Sequence, residues 1–491
     1  MTGEHPPPAA VAETHISVLV SIGDRVYKLK KPVAMGFLDF STLEARRAAC
    51  HREVELNRRL APDVYLGVAD IVGPAGDVCD HLVVMRRMPA ERRLATLVRA
   101  GHGVDDELRR IAHVIATFHA SARTSAAIAE AASPQAVRGN WDASFEELQP
   151  FVGPVLDRAK CARVEELVHR YIDGRLPLFR QRMVANCVRD GHGDLQAEDI
   201  FCLDDGPRIL DCIEFNDRLR HGDVLADVAF LAMDLERLGS PEGAGRFLEL
   251  YRELSAETHP QTLAHHYVAY RAHVRAKVAC LRHGQGDATA ATAATSLLDL
   301  TLRHLEQGRV TVVVVGGLPG TGKSTLAAGI GAARGWSVLR SDEVRKDLAG
   351  LGHGERAGSA FGEGIYGPEL TEATYRTMLN RARRAVTLGE PVVLDASWTD
   401  ARRRRQAADL ARETTSEFVE LRCAVPADLA ATRMAQRARK GGDPSDATPE
   451  VAAAMASVVD AWPSAVQIDT SGSPEQSLER ALAVLGSPTG G

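Results

Sequence analysis

Gly317, Gly320, Thr321, Gly322, Lys323, Ser324 and Thr325 fall within "VTVVVVGGLPGTGKST", residues 310–325 of a 491-residue chain. An apolar run long enough for one buried strand leads into a glycine-rich turn, and the helix-prone "STLAAGIGAA" follows. The spacing G-x-x-x-x-G-K-S in that setting builds a phosphate cradle. Glycines let backbone N–H groups converge on an oxyanion, and the start of the helix adds partial positive charge. Lys323 is expected to reach the outer phosphates of a nucleoside triphosphate, and the Ser324 hydroxyl to ligate Mg²⁺.

Three later stretches carry further chemistry. "VLRSDEVRKDL" puts Asp342 and Arg345 three residues apart, on one side of the first turn of a helix after a strand. A carboxylate there can take the proton of an attacking hydroxyl while the arginine holds the acceptor. The plainer reading makes Asp342 a helix cap and Arg345 a solvated side chain. "PVVLDASW" ends a strand with Asp395, suited to Mg²⁺ or substrate, or simply a turn residue. "TRMAQRARKGGD" puts Arg433 and Arg437 on one helix face before a Gly-Gly pair, where they can close over transferring phosphate or merely face solvent.

These residues need a sheet to stand on. From residue 307 apolar runs alternate with helical stretches ("VTVVVVGG", "GWSVLRS", "EPVVLDA", "EFVELRCA", "AVQIDT"), the pattern of a parallel sheet covered by helices on both faces. The length predicts two to four domains. With 45% hydrophobic and 25% charged residues the chain reads as an ordinary globular protein. Its net charge of −6 gives no general reason to bind nucleic acid or anionic membrane. Eight scattered cysteines without a C-x-x-C pair, and an opening without a signal pattern, point to buried reduced thiols and a cytoplasmic protein.

The C-terminal set, over roughly 307–475, resembles the small P-loop kinases, in particular the polynucleotide-kinase-like, zeta-toxin-like and gluconate-kinase-like group. That resemblance implies Asp342 as the base, Arg345 as the acceptor holder, and Arg433 with Arg437 as lid residues. No arginine-rich channel with interleaved aromatics accompanies it, which weighs against a nucleic-acid substrate.

The first three hundred residues hold a second constellation. "VRDGHGDLQAEDIFCLDDGPRILDCIEFND" contains H-G-D-L-x-x-x-[ND], which resembles the catalytic loop of kinase-like phosphotransferases. The resemblance implies that Asp194 accepts the substrate proton, that His192 braces the loop, and that Asp199 stands where a metal-binding Asn is usual. A second metal ligand is expected from a short strand, "CIEF", in Glu214, with Asp211 just before it. Upstream, "DRVYKLKKPV" offers Lys28 on a strand with Lys30 on the same face. "CHREVELNRRL" offers Glu53 as a partner, and "HLVVMRRMP" a hinge around Met85 to Met88.

Residues 14 to about 290 thus resemble the aminoglycoside-phosphotransferase family of small-molecule kinases. The whole chain resembles bacterial two-part proteins that join such a domain to a P-loop ATPase. "GDVLADVAFLAMDLE" matches a helix start in which Asp223 and Asp227 are structural. Departures are Asp199, the acidic Glu214, and the lack of a glycine-rich loop before "ISVLV", so the first strand is expected to be missing. Arg271, Arg275 and Arg282 form a basic stripe on "HHYVAYRAHVRAKVACLRHG", a solvated face or a hint of an anionic substrate.

The fold class expected is two domains. A disordered tail (1–13) precedes an α+β kinase-like bilobal domain at 14–306, with a small lobe to about 89 and a helical large lobe beyond. An α/β P-loop domain with a parallel sheet follows at 307–491. The expected activity is phosphotransfer from ATP, with Mg²⁺, to small-molecule hydroxyl acceptors at two nucleotide sites. The competing readings are a silent kinase-like module regulating a P-loop ATPase, and a 5′-kinase acting on nucleic-acid ends. Oligomeric state is left open.

Overall fold

The computed structural model of the protein describes residues 10–14, 16–35, 38–353, 355, 363–440 and 449–486, with the backbone alone at 35, 437–440 and 449–450. It divides into two compact units: Met1–Lys160, Phe179–His259 and Tyr267–Thr301 in the first, and Cys161–Leu178, Pro260–His266 and Leu302–Gly491 in the second.

The first unit opens with strands β1 (Ala10–Glu13), β2 (Ser17–Ile22) and β3 (Arg25–Lys30). A two-residue pair follows, β4 (Ala34–Met35) and β5 (Leu38–Asp39), and then β6 (Tyr65–Val72) and β7 (Val78–Arg86). An antiparallel sheet runs in the order β1-β2-β3-β7-β6. β1 corrects two expectations. Ala10–Glu13 is a strand where a tail was expected, and the first strand is present; residues 1–9 lie outside the described residues. Its residues gave no apolar signal, because all four are exposed; the ladder to β2 and an ion pair between Glu13 and Lys31 (2.5 Å) hold them.

Strand alternation puts Val26, Lys28 and Lys30 on one face of β3. That side of the sheet carries the helix Leu43–Asn57, whose Cys50 and Val54 pack with Val64, Tyr65, Val83 and Met85. Beyond the sheet the unit is mainly helical. Helix Asp105–Ser121 buries Leu108, Ile111, Ile115 and Phe118, as its 3.6-residue period predicts. Helix Val224–Arg237 is buried almost all round, which marks it as the central post. Short strands β8 (Val188–Asp190), β9 (Ile200–Leu203), β10 (Gly206–Ile209) and β11 (His221–Asp223) pair as β8-β11 and β9-β10. The H-G-D loop lies between β8 and β9.

The second unit is built on β12 (Thr311–Gly316), β13 (Ser337–Arg340), β14 (Val392–Asp395), β15 (Glu417–Ala424) and β16 (Val466–Asp469). They form one parallel sheet in the order β13-β14-β12-β15-β16. The valines of β12 and the residues of β14 are wholly buried because helices cover both faces of the central strands. All five strands point the same way, so Gly316, Arg340, Asp395, Ala424 and Asp469 end at one edge, where open α/β sheets receive ligands. No described helix is long and apolar enough to cross a membrane. No cysteine forms a disulfide; five of the eight are buried, whereas Cys79 is exposed, against the expectation of buried thiols throughout.

Candidate active sites

In the second unit the P-loop leaves β12 at Gly317 and turns into the helix Lys323–Arg334. Gly317, Gly320 and Gly322 have φ of +146°, +81° and +81°. Gly320 is also sterically obliged: a Cβ there would sit 2.5 Å from the Ala430 carbonyl oxygen. The loop is tied down at Thr321, whose hydroxyl donates to Leu318 O (2.7 Å) and whose carbonyl accepts the Thr470 hydroxyl (2.6 Å). Lys323 and Ser324 are half-buried at the helix start, while Thr325 is exposed. Arg433, on the helix Ala427–Lys440, donates to Thr470 O at 2.8 Å, which sets its guanidinium beside Gly322. The Arg437 side chain lies outside the described residues.

Asp395 closes β14 beside this loop. Its Oδ2 lies 3.3 Å from Arg340 Nε, while its Oδ1 is buried without a hydrogen-bond partner. Burial pushes this carboxyl above the usual range, and Lys323, Ser324 and Arg340 pull the other way. An orphaned, buried carboxylate oxygen beside a P-loop serine fits an oxygen-seeking cation such as Mg²⁺. Asp342 sits in the first turn of the helix Ser341–Ala349, whose cap is Arg340, so it is no capping residue.

Arg345, one turn on, is buried and feels the charge of Asp342. Its Nη1 donates to Ile365 O and Thr371 Oγ1 (both 2.9 Å), its guanidinium lies over Tyr366 (4.9 Å), and its Nε has no hydrogen-bond partner. Sequence reasoning missed the neighbour that completes this corner. Arg403, from the helix Ala401–Glu413, lies 4.2 Å over the Tyr375 ring and is close enough to repel Arg345. Its only signal was the run "ARRRRQ", which looks like a solvated face.

The first unit assembles its set around β3. Lys28 Nζ reaches Glu53 Oε1 (2.8 Å) and Asp211 Oδ1 (2.7 Å). Lys30 Nζ reaches Glu53 Oε2 (2.5 Å) and also Glu214. Glu53 is fully buried; burial raises its carboxyl, but the two lysines overcome this and hold it below the ordinary range. Asp211 is held down chiefly by Lys28.

The "CIEF" strand is corrected. β10 ends at Ile209, and Asp211 follows with φ +65°, a left-handed residue that a continuing strand cannot contain. This twist aims Asp211 at Lys28 and leaves Glu214 on Lys30. Asp199 is pushed well up by burial and by the charges of Asp211 and Asp194, a repulsion that a cation such as Mg²⁺ would relieve. Among the described residues no group of three or more His, Cys, Asp or Glu forms a metal cage, so an ion at either site would complete its shell with water or nucleotide oxygens.

The H-G-D loop is clamped from below. His192 N and Gly193 N donate to Asp227 Oδ2 (2.7 Å) and Oδ1 (2.8 Å), and His119 Nε2 lies 3.1 Å from the same carboxylate. Gly193 has φ +88°, and a Cβ on it would meet Leu219 O at 2.9 Å. The buried His192 ring lies 3.0 Å from Leu210 O through Nε2, the bracing role expected of it. Asp223 caps the helix Val224–Arg237 and pairs with Arg182 through both oxygens (2.6 and 2.8 Å). Asp194 itself is half-buried, and burial pushes its carboxyl up to about 6. A base of that strength takes a proton near neutral pH.

Burial raises the Asp227 carboxyl, yet His119 and the loop N–H groups hold it far below the usual range. Its stabilising contribution is therefore present above about pH 4 and lost as the pH falls. Asp227→Asn should cost about 3 kcal/mol at pH 7, since an amide cannot accept both N–H groups. Denaturant titration at pH 7 and pH 2.5 checks this, with the gap between wild type and variant narrower in acid.

Residues 312–462 match a family model described as an AAA domain. Over 474 residues the chain is 42% identical to an uncharacterized protein of Mycobacterium tuberculosis, covering 96% of this chain and 95% of that one. The same figures hold for an uncharacterized protein of Mycobacterium bovis. The chain belongs to the family of these mycobacterial proteins. Among solved structures, this family member is similar to a gluconokinase from Sinorhizobium meliloti, 17% identical over 36% of this chain and 91% of that one, TM-score 0.27. It is also similar to a choline/ethanolamine kinase family protein from Mesorhizobium loti, 14% identical over 61% of this chain and 92% of that one, TM-score 0.38.

Proposed function

We propose that this protein is an ATP- and Mg²⁺-dependent phosphotransferase with two nucleotide sites, one within 14–306 and one within 307–491, each transferring the γ-phosphoryl group to a small-molecule hydroxyl. The observation that carries the reading is the meeting of P-loop, Asp342 and the orphaned Asp395 oxygen at one edge of the parallel sheet. In each site the acceptor oxygen forms a bond to the γ-phosphorus and the bond from phosphorus to the bridging oxygen breaks. ADP leaves with that electron pair, and the hydroxyl proton passes to Asp342 or Asp194. Lys323 and Arg433 hold the phosphates in the second unit, as Lys28, steadied by Glu53, does in the first. Ser324 and Asp395, and separately Asp199 with Asp211 or Glu214, would hold Mg²⁺, which would supply positive charge against the phosphates. Arg345 orients the acceptor. Eight cysteines without a disulfide suit the cytoplasm.

The test is a transfer screen of the full chain against a metabolite panel, with Lys323→Ala, Asp194→Asn and the double variant as controls. Each single variant should lose one set of products and the double variant all of them. Products surviving in the double variant would end the proposal. The Lys28–Asp211 pair favours a second reading, a silent kinase-like module, because it occupies a carboxylate that a metal would need. Under that reading, Lys323→Ala chain binds ATP equally with and without Mg²⁺ and transfers nothing.

A further inference from the structure

Arg175 stands between the helices Arg158–Gly174 and Leu176–Val184 and is only 1% exposed. Its Nη1 donates to Gly174 O (3.0 Å) and Thr414 O (2.7 Å), and its Nη2 to Ser416 Oγ (3.3 Å). Its Nε has no hydrogen-bond partner. All three acceptors are neutral. The Thr414 carbonyl closes the helix Ala401–Glu413, whose end carries about half a negative charge, so the cation is offset only in part. Among the described residues no carboxylate pairs with this guanidinium, and burial pulls it down to about 10. Buried charges are ordinarily paired, because an interior cation without a counter-charge is costly to keep.

Arg175 also lines a small cavity beside the starts of β12 and β15, at the edge of the sheet opposite the P-loop. The other charged groups in its wall are Arg170, Arg309 and Glu417. Glu417 is taken by Arg170 (3.0 Å), and Arg309 pairs with Glu306 (3.0 Å), so no acid in or beside the wall is left for Arg175. His266, also in the wall, is kept neutral by burial, which pulls its ring down to about 3. The centre of a water-sized sphere has about 20 Å³ to occupy, which is room for one water or one monatomic ion. A water would leave the charge of Arg175 as it is. A halide would accept a hydrogen bond and balance that charge together.

We propose that this cavity is a binding site for one monatomic anion, chloride in a chloride-containing medium, held by Arg175, and that the ion helps fix the helix Arg158–Gly174 to the start of the parallel sheet. Neither nucleotide site is involved.

The test uses the full chain in potassium gluconate, with potassium chloride exchanged in at constant ionic strength. The chloride NMR line should broaden in proportion to protein, and bromide should displace that excess whereas sulfate should not. Arg175→Met should remove most of the excess. The same exchange of salts should slow amide hydrogen exchange in the helix Arg158–Gly174 by about tenfold in wild type and leave it unmoved in Arg175→Met. The absence of protein-dependent broadening, its equal displacement by sulfate, or an excess that Arg175→Met leaves intact overturns the proposal and assigns the cavity to water. Should Arg175→Met fail to fold, Arg175→Lys takes its place, keeping the charge and losing the planar fork. An excess reduced at least about threefold then sustains the proposal, and a smaller change overturns it. The bromide competition in wild type decides without any variant.

Discussion

Lys323→Ala should lower ATP turnover at the P-loop by about 10³-fold while leaving the second unit folded. The ammonium sits at the start of a helix, beside Ser324 and the buried Asp395, and makes no hydrogen bond or ion pair among the described residues. Removing it therefore leaves no protein group newly unpaired, and the loss falls on the nucleotide complex. Steady-state ATP consumption in an Asp194→Asn background isolates this site from the other. Turnover retained to within tenfold would mean that the glycine loop binds something other than the phosphates being cleaved.

Glu53→Ala should destabilise the first unit by about 3 kcal/mol. The carboxylate is fully buried and shared by two lysines, at 2.8 and 2.5 Å. Deleting it leaves two ammonium groups in the interior, each with one acid remaining, Asp211 for Lys28 and Glu214 for Lys30. Those remaining partners keep the cost at the lower end of the range for broken buried ion pairs. Because the lysines hold Glu53 below its ordinary pKa, its contribution exists above about pH 4.5 and disappears as the pH falls. Hydrogen exchange across the helix Leu43–Asn57 reads the local loss directly, and Glu53→Gln should recover part of it.

What was legible in the chain was whatever depends on near neighbours. The P-loop needs glycines, a lysine and a hydroxyl within eight residues, between a buried strand and a helix, and all of that is local. The alternating strands of the second unit were legible for the same reason, since burial on both faces leaves unbroken apolar runs such as "VTVVVV". Lys28 and Glu53 were visible only as an ordered set of weak signs, because 25 residues separate the partners.

Other features depend on distant contacts and left no local mark. Arg403 becomes part of a site only by stacking on Tyr375, from another helix. β1 exists because β2 offers it a ladder; its own residues carry no apolar pattern. The stretch "CIEF", just after Asp211, reads as a strand because it is largely apolar. A single left-handed residue redirects it, and nothing in the side chain of an aspartate announces that choice.

The alternation of acid and base from Asp211 through Lys28, Glu53 and Lys30 to Glu214 has a consequence for how the protein can change over time. Each member is shared or neutralised by the next, so a lone charge swap anywhere along the row strands its neighbour in the interior. Variants that tolerate drift here should therefore replace partners together. An engineer wishing to transplant the row to another scaffold would have to carry all five positions as a block.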